Sequence, residues 1–300
     1  MIAVDWGTSS FRAYRLDADG RVVDQRSAAS GLLTCGGAFE SVLARHVEGW
    51  PDPTIMMAGM IGSRTGWREV PYIDCPAGID EVSAGLQEVA APSLAGRRVW
   101  IVPGLAYRPA GAWPEVMRGE ETQIFGLPGE LAERGAHRIC LPGTHSKWVH
   151  LEQGRIVSLS TAMTGELYAL LRQHSLLAVL MPPAAEQDVD DGAAFLRGID
   201  ASGLEGGLLQ HLFGVRSQGL FGSLSPAQSP SYLSGLLIGH ELRAVGTGTG
   251  QVQLVGNAGL VRRYQRALAH LGVSSCCQGE ALSSCGLHRL ARARSLPLGT

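Results

Sequence analysis

Ile2-Ala3-Val4-Asp5-Trp6-Gly7-Thr8-Ser9-Ser10-Phe11-Arg12-Ala13-Tyr14-Arg15-Leu16 reads as an apolar run, a small polar bend and a second, alternating run. The pattern predicts strands over Ile2 to Val4 and Phe11 to Leu16. The bend between them holds a carboxylate, a glycine and three hydroxyls. Small polar residues are ordinary turn chemistry. The same set also makes a phosphate cradle. Glycine lets the backbone approach an anion, hydroxyls and amides donate to its oxygens, and a carboxylate holds a hydrated Mg²⁺. The bend alone does not choose between the two.

A second stretch bears on the choice. Ile139-Cys140-Leu141-Pro142-Gly143-Thr144-His145-Ser146-Lys147-Trp148-Val149-His150-Leu151 repeats strand, Gly-Thr bend and strand about half a chain later. Each copy continues through an acidic-polar turn ending in glycine (Asp17 to Gly20; Glu152 to Gly154) into a third strand (Arg21 to Val23; Arg155 to Val157). Self-similarity at this separation indicates two related domains, each starting as a three-stranded meander. Short apolar strands at Ile55 to Ala58, Val99 to Val102 and Gln251 to Val255 alternate with helical stretches. Those stretches include Phe39 to Glu48, Asp80 to Val89, Glu120 to Gly126, Gly165 to Leu180, Ser202 to Phe213, Ser231 to Val245, Val261 to Leu271 and Glu280 to Ala293. Such alternation argues α/β domains with each sheet covered on both faces. The division is expected at 1–130 and 131–300, with a hinge within Leu127 to Gly135.

The chain has 300 residues, is 45% hydrophobic and 17% charged, and has a formal net charge of -2. That is too apolar for disorder and long enough for two cores. The charge gives no general attraction to nucleic acid or to anionic membrane, so an anion site must be built locally. The apolar runs fall short of a membrane span. Cys35, Cys75, Cys140, Cys276, Cys277 and Cys285 form no C-x-x-C pair, which reads as free thiols in a reducing cytoplasm. The nine histidines show no H-E-x-x-H or H-x-x-x-H spacing, and no structural metal is expected. Asp188, Asp190 and Asp191 read as a solvated acidic loop.

Two Gly-Thr bends on opposite walls of a cleft would grip a nucleotide triphosphate from both sides. In that reading Asp5 holds the metal, while Gly7, Thr8 and Ser9, and Gly143, Thr144, His145, Ser146 and Lys147, meet the phosphates. Val252-Gln253-Leu254-Val255-Gly256-Asn257-Ala258-Gly259-Leu260 supplies strand, small-residue turn and helix start, which suits the adenosine end.

These three segments resemble the two phosphate motifs and the adenosine motif of the sugar-kinase, heat-shock chaperone and actin superfamily. Ala58-Gly59-Met60-Ile61-Gly62-Ser63-Arg64-Thr65-Gly66-Trp67, Met117-Arg118-Gly119-Glu120-Glu121-Thr122-Gln123 and Leu141-Pro142-Gly143-Thr144-His145-Ser146-Lys147-Trp148 resemble more closely the 2-dehydro-3-deoxygalactonokinase family. The resemblance implies an α/β fold of two actin-like (ribonuclease H-like) domains with an interdomain nucleotide cleft. It also implies ATP- and Mg²⁺-dependent phosphorylation of the 6-hydroxyl of 2-dehydro-3-deoxy-D-galactonate. The partners expected are ATP and a small sugar acid, without nucleic acid or membrane; a homodimer is left open.

Phosphoryl transfer needs an aligned hydroxyl, neutralised phosphates and a carboxylate for the hydroxyl proton. Glu120 and Glu121 open a helix, where acids also serve as caps. One of them is expected to be the base, and the sequence does not say which. A sugar-acid carboxylate calls for cations and polar groups, for which Arg12, Ser63, Arg64, Trp67 and Arg118 are the candidates. The rival readings are a phosphohydrolase on the same frame, which would release phosphate without sugar, and a non-catalytic actin-like or sugar-responsive protein.

Overall fold

The computed structural model describes every residue except 95, 130, 132, 133, 184–188, 247, 249, 280, 281 and 300. The strands of the first half are β1 (Ile2–Trp6), β2 (Phe11–Leu16), β3 (Val22–Ala28), β4 (Thr54–Ala58), β5 (Ile73–Asp74), β6 (Gln87–Val89), β7 (Arg98–Ile101), β8 (Leu105–Tyr107) and β9 (Glu115–Met117). Six of them form a sheet in the order β3-β2-β1-β4-β7-β6. β1 pairs antiparallel with β2 and parallel with β4, and β4 pairs parallel with β7. Every residue of β4 is buried, as expected of a central parallel strand covered on both faces. β1 alternates: Ile2, Val4 and Trp6 enter a core with Phe11, Ile55, Met57, Val99 and Ile101, which leaves Ala3 and Asp5 on the opposite face. Asp5 stands in register with Arg12 on β2 and Ala58 on β4. It therefore marks the carboxyl end of two parallel strands, where open α/β sheets place their ligands.

β10 (Ala136–Leu141), β11 (Ser146–Glu152), β12 (Arg155–Ala162), β13 (Val252–Leu254) and β14 (Ser275–Cys277) form a second sheet in the order β12-β11-β10-β13-β14. β10 and β13, and β13 and β14, pair parallel. The first sheet, read β3-β2-β1-β4-β7, has the same order: a meander, then two parallel strands on the side of its first strand. The duplication in the sequence is thus a duplication of topology, the ribonuclease H-like plan of actin-like proteins. β11 and β12 are joined by Gln153 and Gly154 at φ 48° and 76°, the left-handed pair that a two-residue hairpin turn requires.

Three expectations are corrected. The stretch Asp80 to Val89 is not one helix: the helix Ile79–Ala84 stops at Gly85, and Gln87–Val89 pairs antiparallel with β7. The helix expected over Ser202 to Phe213 lies at Leu208–Leu220, after the helix Ala193–Ala201, because Gly206 at φ 120° and Gly207 interrupt between them. A third sheet, β5-β8-β9, adds to the two expected ones. Residues 130, 132 and 133 of the hinge region, the acidic residue Asp188 and the helix start at Glu280 lie outside the described residues.

The chain forms two compact units that interleave along the sequence. One comprises Met1–His137, Val149–Leu159 and Gly279–Thr300; the other comprises Arg138–Trp148 and Ser160–Gln278. A single cut at 130 would assign the last helix, Leu282–Ala293, to the second half; its packing assigns it to the first unit. There it lies against the helix Glu120–Phe125, and Arg289 Nη1 donates to the carbonyls of Phe125 and Leu127 at 2.8 and 2.7 Å. Two glycines permit the approach. A Cβ on Gly286 would overlap Thr122 O, and one on Gly126 would overlap Leu282 O. Gly286→Ala is therefore expected to destabilise the protein by about 1–3 kcal/mol, the clash outweighing alanine's better helix propensity. A lowered urea midpoint would show it, and an unchanged or raised midpoint would contradict the packing.

Candidate active site

Three strand ends meet in the first unit. β1 delivers Asp5, 28% exposed, whose Oδ2 lies 3.9 Å from Arg12 Nη1. Packing around Asp5 raises its carboxyl above the usual range, and the Arg12 charge pulls the other way. At the end of β4 sits Gly59, φ 92°, where a Cβ would lie 2.8 Å from Trp6 O and 3.5 Å from Asp5 Oδ1. Gly119 follows β9 at φ 112°, and a Cβ there would lie 3.1 Å from Gly59 Cα. The two glycines let the ends of β1 and β4 touch the first turn of the helix Glu120–Phe125.

That turn separates the two glutamates. The Gly119 N–H donates to both carboxylate oxygens of Glu121, at 2.9 and 2.7 Å, and Glu121 is 0% exposed. The Arg118 N–H donates to Glu120 Oε2 at 3.1 Å, and Glu120 is only half-buried. Burial first, then the neighbouring Glu120 charge, push Glu121 up to about 8 against the pull of backbone N–H groups and Arg118. Glu121 is thus a largely protonated interior carboxyl at neutral pH, whereas Glu120 meets solvent.

Between the ordinary carboxylate value and about 8 the folded state holds a proton that the unfolded chain has lost. Stability should therefore fall as pH rises through that window, by at most about 1.4 kcal/mol per unit from this group. Glu121→Gln should flatten that slope in urea titrations between pH 5 and pH 8; an equal slope in the variant would contradict the assignment.

The two Gly-Thr bends share a device. In the first, Gly7 N–H donates to Ser10 O at 2.9 Å, and Thr8 and Ser9 are exposed. A Cβ on Gly31 would overlap Thr8 O, and the N–H groups of Leu32 and Leu33 donate to Gly7 O and Thr8 O at 3.1 and 3.2 Å. In the second, Gly143 is half-buried and Thr144 and His145 are exposed. A Cβ on Gly165 would overlap Gly143 O, Glu166 N–H donates to Thr144 O at 3.0 Å, and His145 Nε2 pairs with the Glu166 carboxylate. Each bend is closed by the start of a following helix, Leu32–Cys35 or Thr164–His174. The signal was a Ser-Gly and a Thr-Gly step, Gly31 lying 24 residues after Gly7 and Gly165 lying 22 after Gly143.

Ser146 corrects the sequence reading. Its side chain is buried, with Oγ 2.8 Å from Tyr264 Oη, so its hydroxyl serves the interior of the unit rather than the open face of the bend. Lys147 is buried too, its Nζ donating to Thr161 Oγ1 at 3.0 Å. In the adenosine motif Gly256 takes φ 134° beside Pro142 O, and Val255 N–H donates to Cys140 O. Asn257 is the N-cap of the helix Ala258–His270, its Oδ1 accepting from the N–H groups of Gly259 and Leu260 at 3.0 and 3.4 Å. Ala258 is exposed and Gly259 half-buried. A cavity in this unit opens between Gly143, Gly165, Tyr168, Leu260 and Arg263, joining the second bend to the adenosine motif.

The candidates for a sugar acid fare unequally. Arg12 is 57% exposed. Arg64 is exposed and pairs with Glu69 at 3.5 Å, and Ser63 Oγ meets Thr65 Oγ1 at 3.3 Å. Trp67 packs against the core of the first sheet. Arg118 Nη2 donates to Val70 O at 2.7 Å and its guanidinium lies 4.3 Å over the Tyr72 ring. Its Nε and Nη1 are buried, with no partner among the described residues.

A family model described as 2-keto-3-deoxy-galactonokinase matches residues 5–290. The chain belongs to this family. "Probable 2-dehydro-3-deoxygalactonokinase DgoK1" of Rhizobium meliloti (strain 1021) is 37% identical, covering 97% of this chain and 96% of that one. The 2-dehydro-3-deoxygalactonokinase of Escherichia coli (strain K12) is 34% identical, covering 97% of each. A crystal structure from Sinorhizobium meliloti, assigned as a 2-dehydro-3-deoxygalactonokinase, superposes with a TM-score of 0.88 at 36% identity, covering 97% of this chain and 98% of that one. The galactonokinase match thus takes in both bends, the Arg118-Gly119-Glu120-Glu121 turn and the adenosine motif. Among the described residues of this family member, no helix is long and apolar enough to cross a membrane, and no three His, Cys, Asp or Glu side chains group as a metal cage.

Proposed function

We propose that the chain transfers the γ-phosphoryl group of ATP to the 6-hydroxyl of 2-dehydro-3-deoxy-D-galactonate, in the cytoplasm. The observation that carries this is the junction of Asp5, Gly59, Gly119 and Glu120 at the carboxyl ends of β1 and β4, in a chain of the galactonokinase family. In this reading the bends at Gly7–Ser9 and Gly143–Thr144 each offer amides and hydroxyls to phosphate. The cavity beside Leu260 and Arg263 takes the adenosine end.

Asp5 fits Mg²⁺. It is a hard oxygen donor, partly open and raised by burial, and among the described residues the cation that faces it is the distant, exposed Arg12. Mg²⁺ binds through one or two carboxylates, waters and substrate phosphates rather than an all-protein cage. When bound it would neutralise phosphate charge. Glu120 accepts the 6-hydroxyl proton, since it is the reachable carboxylate of the pair. Arg12 and Arg64, exposed cations of the first unit, would meet the sugar carboxylate.

The test is a coupled assay of ADP formation over a panel of aldonic and 2-keto-3-deoxyaldonic acids. Turnover confined to 2-keto-3-deoxy acids is expected, with the galacto form preferred. ATP consumption indifferent to every member of the panel would defeat the proposal. Gly165→Ala should raise KM for ATP by roughly tenfold with a smaller effect on the sugar acid, because a Cβ there displaces the Gly143–Thr144 backbone.

A further inference from the structure

The second unit buries a carboxylate for which neither the bends nor the adenosine motif gives a reason. Glu241, on the helix Ser229–Val245, is 5% exposed, yet donors from three separate elements converge on it. Trp148 Nε1 donates to Oε1 at 2.7 Å, Tyr264 Oη donates to Oε2 at 2.6 Å, and the Thr164 hydroxyl donates to Oε2. Tyr264 Oη also lies 2.8 Å from Ser146 Oγ, and Ser146 Oγ accepts a long bond, 3.5 Å, from Gly143 N–H. The carboxylate end fixes the direction of this chain. Burial raises the Glu241 carboxyl and these donors pull it back; when ionised it only accepts, so Tyr264 then commits its one proton to Glu241 and Ser146 donates to Tyr264. The lone pairs of Ser146 remain for Gly143.

Each donor belongs to a different part of the proposed nucleotide site. Ser146 and Trp148 lie on β11 directly after the second bend. Thr164 begins the helix that closes this bend through Gly165. Tyr264 lies on the helix that Asn257 caps. We propose that Glu241 is a positioning residue for ATP: it holds the Gly143–Ser146 bend, the helix start at Thr164 and the adenosine helix in one mutual arrangement without touching the ligand. The proposal rests on the reading that this bend takes phosphate. A fully satisfied buried network rigidifies the elements that supply its donors. An apolar side chain at 241 would pack but would leave Trp148, a donor only, unpaired.

The experiment compares wild type, Glu241→Gln, Tyr264→Phe and the double variant as full-length chains. Calorimetric titration with a non-hydrolysable ATP analogue is combined with kinetics for both substrates and with thermal unfolding to confirm folding. Glutamine keeps the volume and an acceptor for Trp148, while its amide faces Tyr264 and Thr164, both able to accept. Each single variant should weaken analogue binding roughly three- to thirtyfold, leave KM for the sugar acid within about twofold, and combine non-additively in the double variant. Folded variants with wild-type nucleotide affinity, equal losses toward both substrates, or strictly additive losses would overturn the proposal. If wild type itself fails to bind the analogue, the nucleotide reading falls first and this proposal falls with it.

Discussion

Glu120→Gln is expected to lower kcat by roughly 10²–10⁴-fold, the usual worth of a positioned general base, with KM for ATP little changed. Access separates the two carboxyls. Both glutamates stand in the first turn of the helix Glu120–Phe125, yet Glu121 is sealed and clamped by the Gly119 amide, while Glu120 is half-buried and receives the Arg118 N–H. A base must come within hydrogen-bond reach of the hydroxyl it deprotonates. It must also be ionised at working pH, and Glu121, at about 8, is largely not. Glu121→Gln, which replaces a mostly neutral carboxyl by a neutral amide, should keep most of kcat. If the two variants exchange roles, with Glu121→Gln inactive and Glu120→Gln active, the assignment of the base is reversed. The protein would then open to expose Glu121 during turnover.

The parts of this site legible in the sequence are those made by consecutive residues. The Gly-Thr bends stand out because apolar alternation stops abruptly at small polar residues, and the second copy confirms the first. The Arg118-Gly119-Glu120-Glu121 turn is local as well. What escaped is made by residues distant in sequence. Ser146 looks like a phosphate hydroxyl in a Gly-Thr-x-Ser string, but strand parity turns it inward, and its partner Tyr264 lies 118 positions away. Glu241 carries no motif at all; only the donors converging on it mark it. Gly31, Gly59 and Gly165 are unremarkable in a chain with 40 glycines. Their meaning is a backbone that approaches where a Cβ would stand. The strand at Gln87–Val89 shows no period of its own, three residues being too few; pairing with β7 decides it.

Asp5→Asn should lower kcat by roughly 10²–10³-fold, the scale of removing one preorganised charge from a phosphoryl-transfer site. Burial raises the Asp5 carboxyl, so the folded state disfavours its ionised form. Among the described residues its cation neighbour is Arg12 at 3.9 Å, itself 57% exposed and therefore a weak compensator. A folded pKa above the unfolded one means stability is lost as pH rises through that window and is not recovered at neutral pH. Asparagine removes this penalty. The variant should consequently unfold at the same temperature as wild type or a higher one at pH 7 to 8, while wild type gains on it as the pH is lowered toward the ordinary carboxylate range. A carboxylate kept for architecture would behave oppositely, its loss lowering the midpoint and leaving turnover of the folded fraction intact. Activity lost together with stability retained would identify Asp5 as a charge that the first unit tolerates for the chemistry at the end of β1; stability lost with activity retained would return the bend to ordinary turn chemistry.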